Sequence, residues 1–284
     1  MTTRRIIFHV YPTRAEAQHA IGFWIGSRWV QYPASRWYLS TGTTFDAAYP
    51  TAITFLHTQP QSPDLCELRT FNADEYCDDR GVPLAPDDTR AFTRYMRVNC
   101  FDGLECFGFD ERQARFPSDS VVQPIAVGDA LSGYDDLIAA DGGLDFAVIG
   151  IGPGQDGDDE SAHFAFVEPS DDANWLDKGT TRFTLNAETR RANATNAGCN
   201  GDPDRVPPSA YTIGAKSLIV GAPREVCFAG LGSAKSGPMH GALFGPVGPR
   251  CPASLIQVLA QNGSVVHAFF DTESFARVRE RFCV

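Results

Sequence analysis

Two adjacent carboxylates, Asp74 and Glu75, and an imidazole, His163, with Glu168 five residues later, are the residues of this 284-residue chain best suited to moving protons. A carboxylate whose pKa is tuned upward can take and return a proton near neutral pH, and an imidazole titrates there without tuning. A carboxylate beside a histidine also sets which ring nitrogen carries the proton. Anion binding is the second chemistry on offer. Ser40-Thr41-Gly42-Thr43-Thr44 sets small hydroxyl residues around a glycine, between a strand-like run and a helix-like one. Gly230-Leu231-Gly232-Ser233-Ala234-Lys235 repeats that arrangement and adds a lysine. Backbone N–H groups and the positive end of a helix favour an anion at such turns. The plain alternatives are a helix cap for the first turn and a solvated lysine for the second.

These residues need elements to position them. The stretch from Leu144 to Pro169, LDFAVIGIGPGQDGDDESAHFAFVEP, organises the chain. Phe146 to Ile151 is a continuous apolar run ending in glycines, the pattern of a strand buried on both faces of a parallel sheet. Ligands of open α/β sheets bind beyond the carboxyl ends of such strands, which is where the acidic loop and His163 follow. Arg5 to Val10, Trp37 to Leu39, Leu65 to Phe71, Arg182 to Leu185, Val226 to Ala229 and Val265 to Phe269 read as further strands. Asn72 to Tyr76 falls just past the end of one. Thr13 to Glu16 has the form of a capping box, and Ala17, Ile21, Trp24, Ile25 and Trp29 then make one apolar helix face. Pro50 should kink or restart the next helix. Asp88 caps a helix carrying Phe92, Tyr95, Met96 and Cys100. Residues 102–125 read as loop with short turns, and Ala126 to Ala139 as a helix weakened by Gly128 and Gly133. Asn186 to Pro208 reads as a long loop or lid. Ser254 to Leu259 and Thr272 to Phe282 read as closing helices. Strands alternating with helices predict an α/β fold, a Rossmann-like, doubly wound and mostly parallel sheet with helices on both faces, in a single domain over residues 1–284.

Apolar content of 43% and charged content of 21% are those of a globular protein, and the net charge is −11. That balance, with a pI of 4.9, argues against nucleic acid or an acidic membrane surface as partner. No run approaches the ~20 apolar residues of a membrane span. The eight cysteines have irregular spacing without a CxxC pair, and Cys227 lies in an apolar run as a small hydrophobe. The opening MTTRRIIFHVYP holds too short an apolar core for a secretory leader, so the expectation is a cytoplasmic protein with reduced thiols. Asn193-Ala194-Thr195 and Asn262-Gly263-Ser264 are then chance matches to a glycosylation acceptor. The acidic run Asp156 to Glu160 lacks the spacing and the glycine of an EF-hand loop, and we expect no metal there. His240 and His267 read as structural.

Three separated motifs carry a family resemblance. FNADEY (Phe71 to Tyr76) is similar to the FNxDEY motif of glucosamine-6-phosphate deaminases, and HFAFVEP (His163 to Pro169) to their HIAFNEP motif. The stretch from Tyr211 to Val258 resembles their C-terminal half, in the same order. The resemblance covers Leu39 to Asp271. It implies a cofactor-free aldose–ketose isomerisation of an amino-sugar phosphate with loss of ammonia, and it leaves room for a homo-oligomer. Carried over by position, it implies that Asp74 transfers the C2 proton with Glu75 beside it. His163 assists ring opening, Glu168 orients His163, and Gly42, Thr43, Thr44 and Lys235 hold the phosphate. The sequence departs from the family in three places, the first being the phosphate loop, which has Thr43 and Phe45 instead of the family's second glycine and proline. The aspartate expected two residues before the histidine is replaced by Ser161, so Asp156, Asp158, Asp159 or Glu160 is left to take its part. Thr195 stands where the family has a phosphate-binding arginine, with Arg190 and Arg191 close by. Lactone hydrolysis, as in the related 6-phosphogluconolactonases, and a sugar-binding protein without turnover are the alternative readings.

Overall fold

The computed structural model describes residues 5–154 and 158–282. The chain runs β1 (Arg5–Tyr11), α1 (Arg14–Gln31), β2 (Arg36–Leu39), α2 (Ala48–His57), β3 (Arg69–Asn72), β4 (Asp74–Cys77), α3 (Phe92–Met96) and α4 (Asp102–Leu104). Next come β5 (Ala114–Arg115), α5 (Ser132–Ala140), β6 (Phe146–Pro153), β7 (Ala162–Phe164), β8 (Thr181–Thr184), α6 (Ala187–Asn193) and β9 (Ser209–Thr212). It closes with α7 (Ala215–Gly221), β10 (Glu225–Ala229), α8 (Ser236–Phe244), α9 (Leu255–Gln261), β11 (Val265–Asp271) and α10 (Ala276–Glu280).

Seven strands form a parallel sheet in the order β1-β11-β10-β6-β2-β3-β5. Alternation along the strands divides the apolar residues between two cores. Trp37, Leu39, Phe146, Val148, Cys227 and Phe269 meet α1 and α2 on one face. Tyr38, Ala147, Ile149 and Phe228 meet α5, α7, α8 and α9 on the other. Both faces being covered is why the central strands read as unbroken apolar runs. The capping box of Thr13 and Glu16 is formed, and Ala17, Ile21, Trp24, Ile25 and Trp29 are all buried.

The structure departs from expectation where the chain leaves this sheet. FNADEY does not end in a loop. Asn72 closes β3, and Asp74 opens β4 in a second, antiparallel sheet of order β4-β9-β8. β7 turns back antiparallel on the end of β6. Asn186–Pro208 is no open lid, since it begins with α6, capped by Asn186. Residues 126–131 stay outside α5, which starts at Ser132. Pro50 lies in the first turn of α2, where its missing N–H breaks no helical bond. The closing helix is short, Ala276–Glu280.

Candidate active site

The turn after β2 carries Gly42 at φ 99°, a left-handed value open to glycine. Arg14 and Gln18 of α1 each donate 2.8 Å bonds to the Thr43 carbonyl, and Gln18 reaches the Thr44 carbonyl at 3.2 Å. The loop is thus held from behind by α1. Across the cavity stands Lys235, and no anionic side chain bonds its ammonium among the described residues. Burial, aided by the nearby Arg14 charge, lowers its pKa to about 8.

Asp74 is 4% exposed and takes a hydrogen bond from the Thr212 hydroxyl, its partner in the β4–β9 register. Burial raises its pKa to about 7, against the lowering effect of Thr212 and with a further rise from Glu75. His163 sits on β7 opposite Gly152 of β6. A Cβ at position 152 would lie 1.8 Å from the ring's Nε2, so the ring's place depends on that glycine. Burial, then the Lys235 charge, lowers the histidine to about 3, leaving it neutral near pH 7. Its Nδ1 lies 3.5 Å from the Thr189 hydroxyl and 3.8 Å from Glu168.

Gly42, Thr43, Thr44, Asp74, His163 and Lys235 therefore line one cavity at the carboxyl ends of β2 and β6. The other expected residues lie elsewhere. Glu168 stays behind the cavity wall, held by Asn186 through its side-chain amide at 2.6 Å and its backbone N–H at 3.3 Å. It is beyond hydrogen-bond distance of His163, so the expected direct contact is replaced by Thr189, which bonds the carboxylate and approaches the ring. Burial raises Glu168 to about 6. Glu75 points away from the cavity, as adjacent residues of a strand must. Its carboxylate accepts the N–H groups of Tyr76, Phe92 and Thr93 and the Thr93 hydroxyl, at 2.6 to 3.0 Å. It holds the start of α3 and not a ligand.

Asp156 lies outside the described residues. Asp158 caps its own turn, Asp159 pairs with Arg277, and Glu160 with His240 and Arg277. None of the three lines the cavity. Ser161 instead bonds the Arg250 carbonyl. Thr195 is exposed beside a neighbouring depression. Arg190 is turned to Pro203 and Asp204, and Arg191 to Glu188. His267 is structural as expected, bonded to His9 and Glu225. Sequence reasoning missed Thr189, Thr212, Asn193 and Asn196. The first and third ride on α6, which was read as loop. Thr212 carried a signal only in lying at the start of the resembling stretch from Tyr211 to Val258.

The chain is 28% identical over 252 residues to the glucosamine-6-phosphate deaminase of Rhodopirellula baltica, covering 89% of each. It is 29% identical over 248 residues to that of Bifidobacterium longum strain NCC 2705, covering 86% of this chain and 82% of the relative. The chain is a divergent relative of the glucosamine-6-phosphate deaminases. No protein-family model matches it. Among solved structures, a monomeric glucosamine-6-phosphate deaminase superposes with a TM-score of 0.74 at 22% identity, over 95% of this chain and 99% of that one. A 6-phosphogluconolactonase from Trypanosoma brucei superposes with a TM-score of 0.62 at 16% identity, over 97% and 100%. Both have the fold described above. Among the described residues, no helix is long and apolar enough to cross a membrane.

Proposed function

We propose that the chain is an amino-sugar phosphate isomerase-deaminase that converts glucosamine 6-phosphate, or a closely related amino-sugar phosphate, to the ketose phosphate and ammonia. The observation that carries this reading is the meeting of Asp74 and His163 in one cavity, with Lys235 and the Gly42–Thr44 loop beside them. Lys235 and that loop take the phosphate. His163, neutral in its burial, accepts the C1 hydroxyl proton and returns a proton to the ring oxygen as the sugar opens. Asp74 as carboxylate takes the C2 proton while the substrate's own ammonium gives up the proton that O1 gains, leaving an enolamine. It then returns the proton to C1, leaving an iminium at C2. One water adds there and one ammonia leaves. An acid with a pKa of about 7 suits a step that takes and returns the same proton. Thr189 and, through it, Glu168 orient the imidazole.

The substrate is a small molecule. The net charge of −11 supports no role with nucleic acid. The seven described cysteines are free thiols, which fits a cytoplasmic setting.

The test is ammonia release from glucosamine 6-phosphate by the wild type and Asp74→Asn. Loss of a proton-transfer group lowers turnover by about 10²–10⁴-fold. Acid release from a 6-phospho-lactone without ammonia would favour the lactonase reading, and tight sugar binding with neither product a non-catalytic one.

A further inference from the structure

Thr212 is fully buried on β9 and faces Asp74 across the β4–β9 pair. Its oxygen accepts the Phe166 backbone N–H at 3.0 Å. Its own proton is given to the Asp74 carboxylate. A hydroxyl has one proton, so with Phe166 donating to it, Thr212 is set as a donor toward Asp74. Phe166 lies three residues past His163 and follows Ala165, whose φ of 48° is a left-handed value rare for alanine. That turn takes the chain out of β7 and lets the Phe166 N–H reach β9. Ala165 and Phe166 both line the cavity. Phe166 stacks near Phe92, with ring centroids 5.8 Å apart, and so is fixed on its other side too.

We propose that Thr212 is a positioning residue that fixes both the place and the ionised form of Asp74 by tying it to the segment that carries His163. The two groups come from different sheets, and this bridge sets their spacing. Donors to a carboxylate favour the charged form, and Thr212 acts here ahead of the Phe166 backbone N–H, whereas burial and Glu75 oppose it. The other titratable groups facing Asp74 are Tyr38 of β2, Tyr76 of β4 and Tyr134 of α5. Burial holds all three phenols neutral through the working range. His163 and Lys235 share the cavity.

The inference rests on the proposed deaminase reading, and the experiment separates the two. The pH profile of kcat/KM for ammonia release is measured for wild type, Thr212→Val, Thr212→Ser and Thr212→Ala. Titration of the Asp74 carboxylate by carbon-13 NMR, assigned with Asp74→Asn, is followed in the same proteins. We expect the valine variant to move the acidic limb and the Asp74 titration upward by about one pH unit, as loss of a hydrogen bond to the charged form does. Its kcat should fall by roughly tenfold or more with KM little changed, and serine should restore both. Alanine lacks the same hydroxyl and stands in should valine not fold. Unchanged limbs in the folded valine or alanine variant, or a serine variant no better than they are, overturn the inference. Should the wild type release no ammonia, the deaminase reading falls, while the carboxylate titration still decides on Thr212.

Discussion

Burial acts in opposite directions on the acid and the base of the cavity. It raises Asp74 to about 7 and lowers His163 to about 3, because in each case the charged form loses its water. The result at neutral pH is an acid poised to exchange a proton and a histidine that is uncharged. Lys235 is lowered to about 8 for the same reason. A phosphate monoester takes its second charge near pH ~6. Binding of a phosphorylated sugar is therefore expected to be strongest between roughly pH 6 and 8 and to weaken as Lys235 loses its proton above that. Lys235→Ala should weaken a phosphorylated ligand by about 10–100-fold, since a hydrogen bond to a charged group contributes ~1.5–3 kcal/mol. Calorimetry with glucosamine 6-phosphate and with glucosamine checks this. Equal weakening of both would remove Lys235 from the phosphate site.

Among the elements, α6 does two jobs through its cap. Asn186 accepts the Thr189 N–H at 2.8 Å and donates to Glu168 at 2.6 Å. The helix brings Thr189 to the imidazole and Asn193 to the cavity wall. Asn186→Ala removes both contacts and is expected to destabilise the protein by about 1 kcal/mol, as loss of an N-cap does. Asn186→Ser keeps a capping oxygen but cannot span to Glu168. It should recover the melting temperature and not the turnover. A serine variant with full turnover would show that the grip on Glu168 is irrelevant to the reaction.

Across the whole molecule, the buried acids and the buried histidine shape stability against pH with opposite signs. Asp74 binds its proton more tightly in the folded chain than in the unfolded one. Its contribution is therefore full below the ordinary carboxylate range and is lost as pH rises through about 7. Glu168, raised to about 6, and Glu75, also raised, act in the same sense. His163 acts the other way, its contribution being full above its ordinary pKa and lost as pH falls toward 3. Asp74→Asn removes one of the first set. The variant should melt above the wild type at pH 8, by roughly 2–4 °C for each kcal/mol relieved, and the difference should vanish near pH 4. An offset that does not vary with pH would show that Asp74 does not titrate in this window.

The sequence by itself determined what depends on near neighbours. The box at Thr13 and Glu16, the face of α1 and the apolar run of β6 were legible because a cap and a periodicity are local. The motifs holding Asp74 and His163 were legible because each is a short string beside a strand end. Only the tertiary structure decided that Asp74 leaves the parallel sheet for a second one, that Glu75 turns inward to α3, and that the described acids near His163 pair elsewhere. It also decided that Thr189 and Thr212 stand beside the imidazole and the acid. A buried threonine and a buried carboxylate are made partners by strand register and helix placement, and those depend on contacts between residues far apart in the chain.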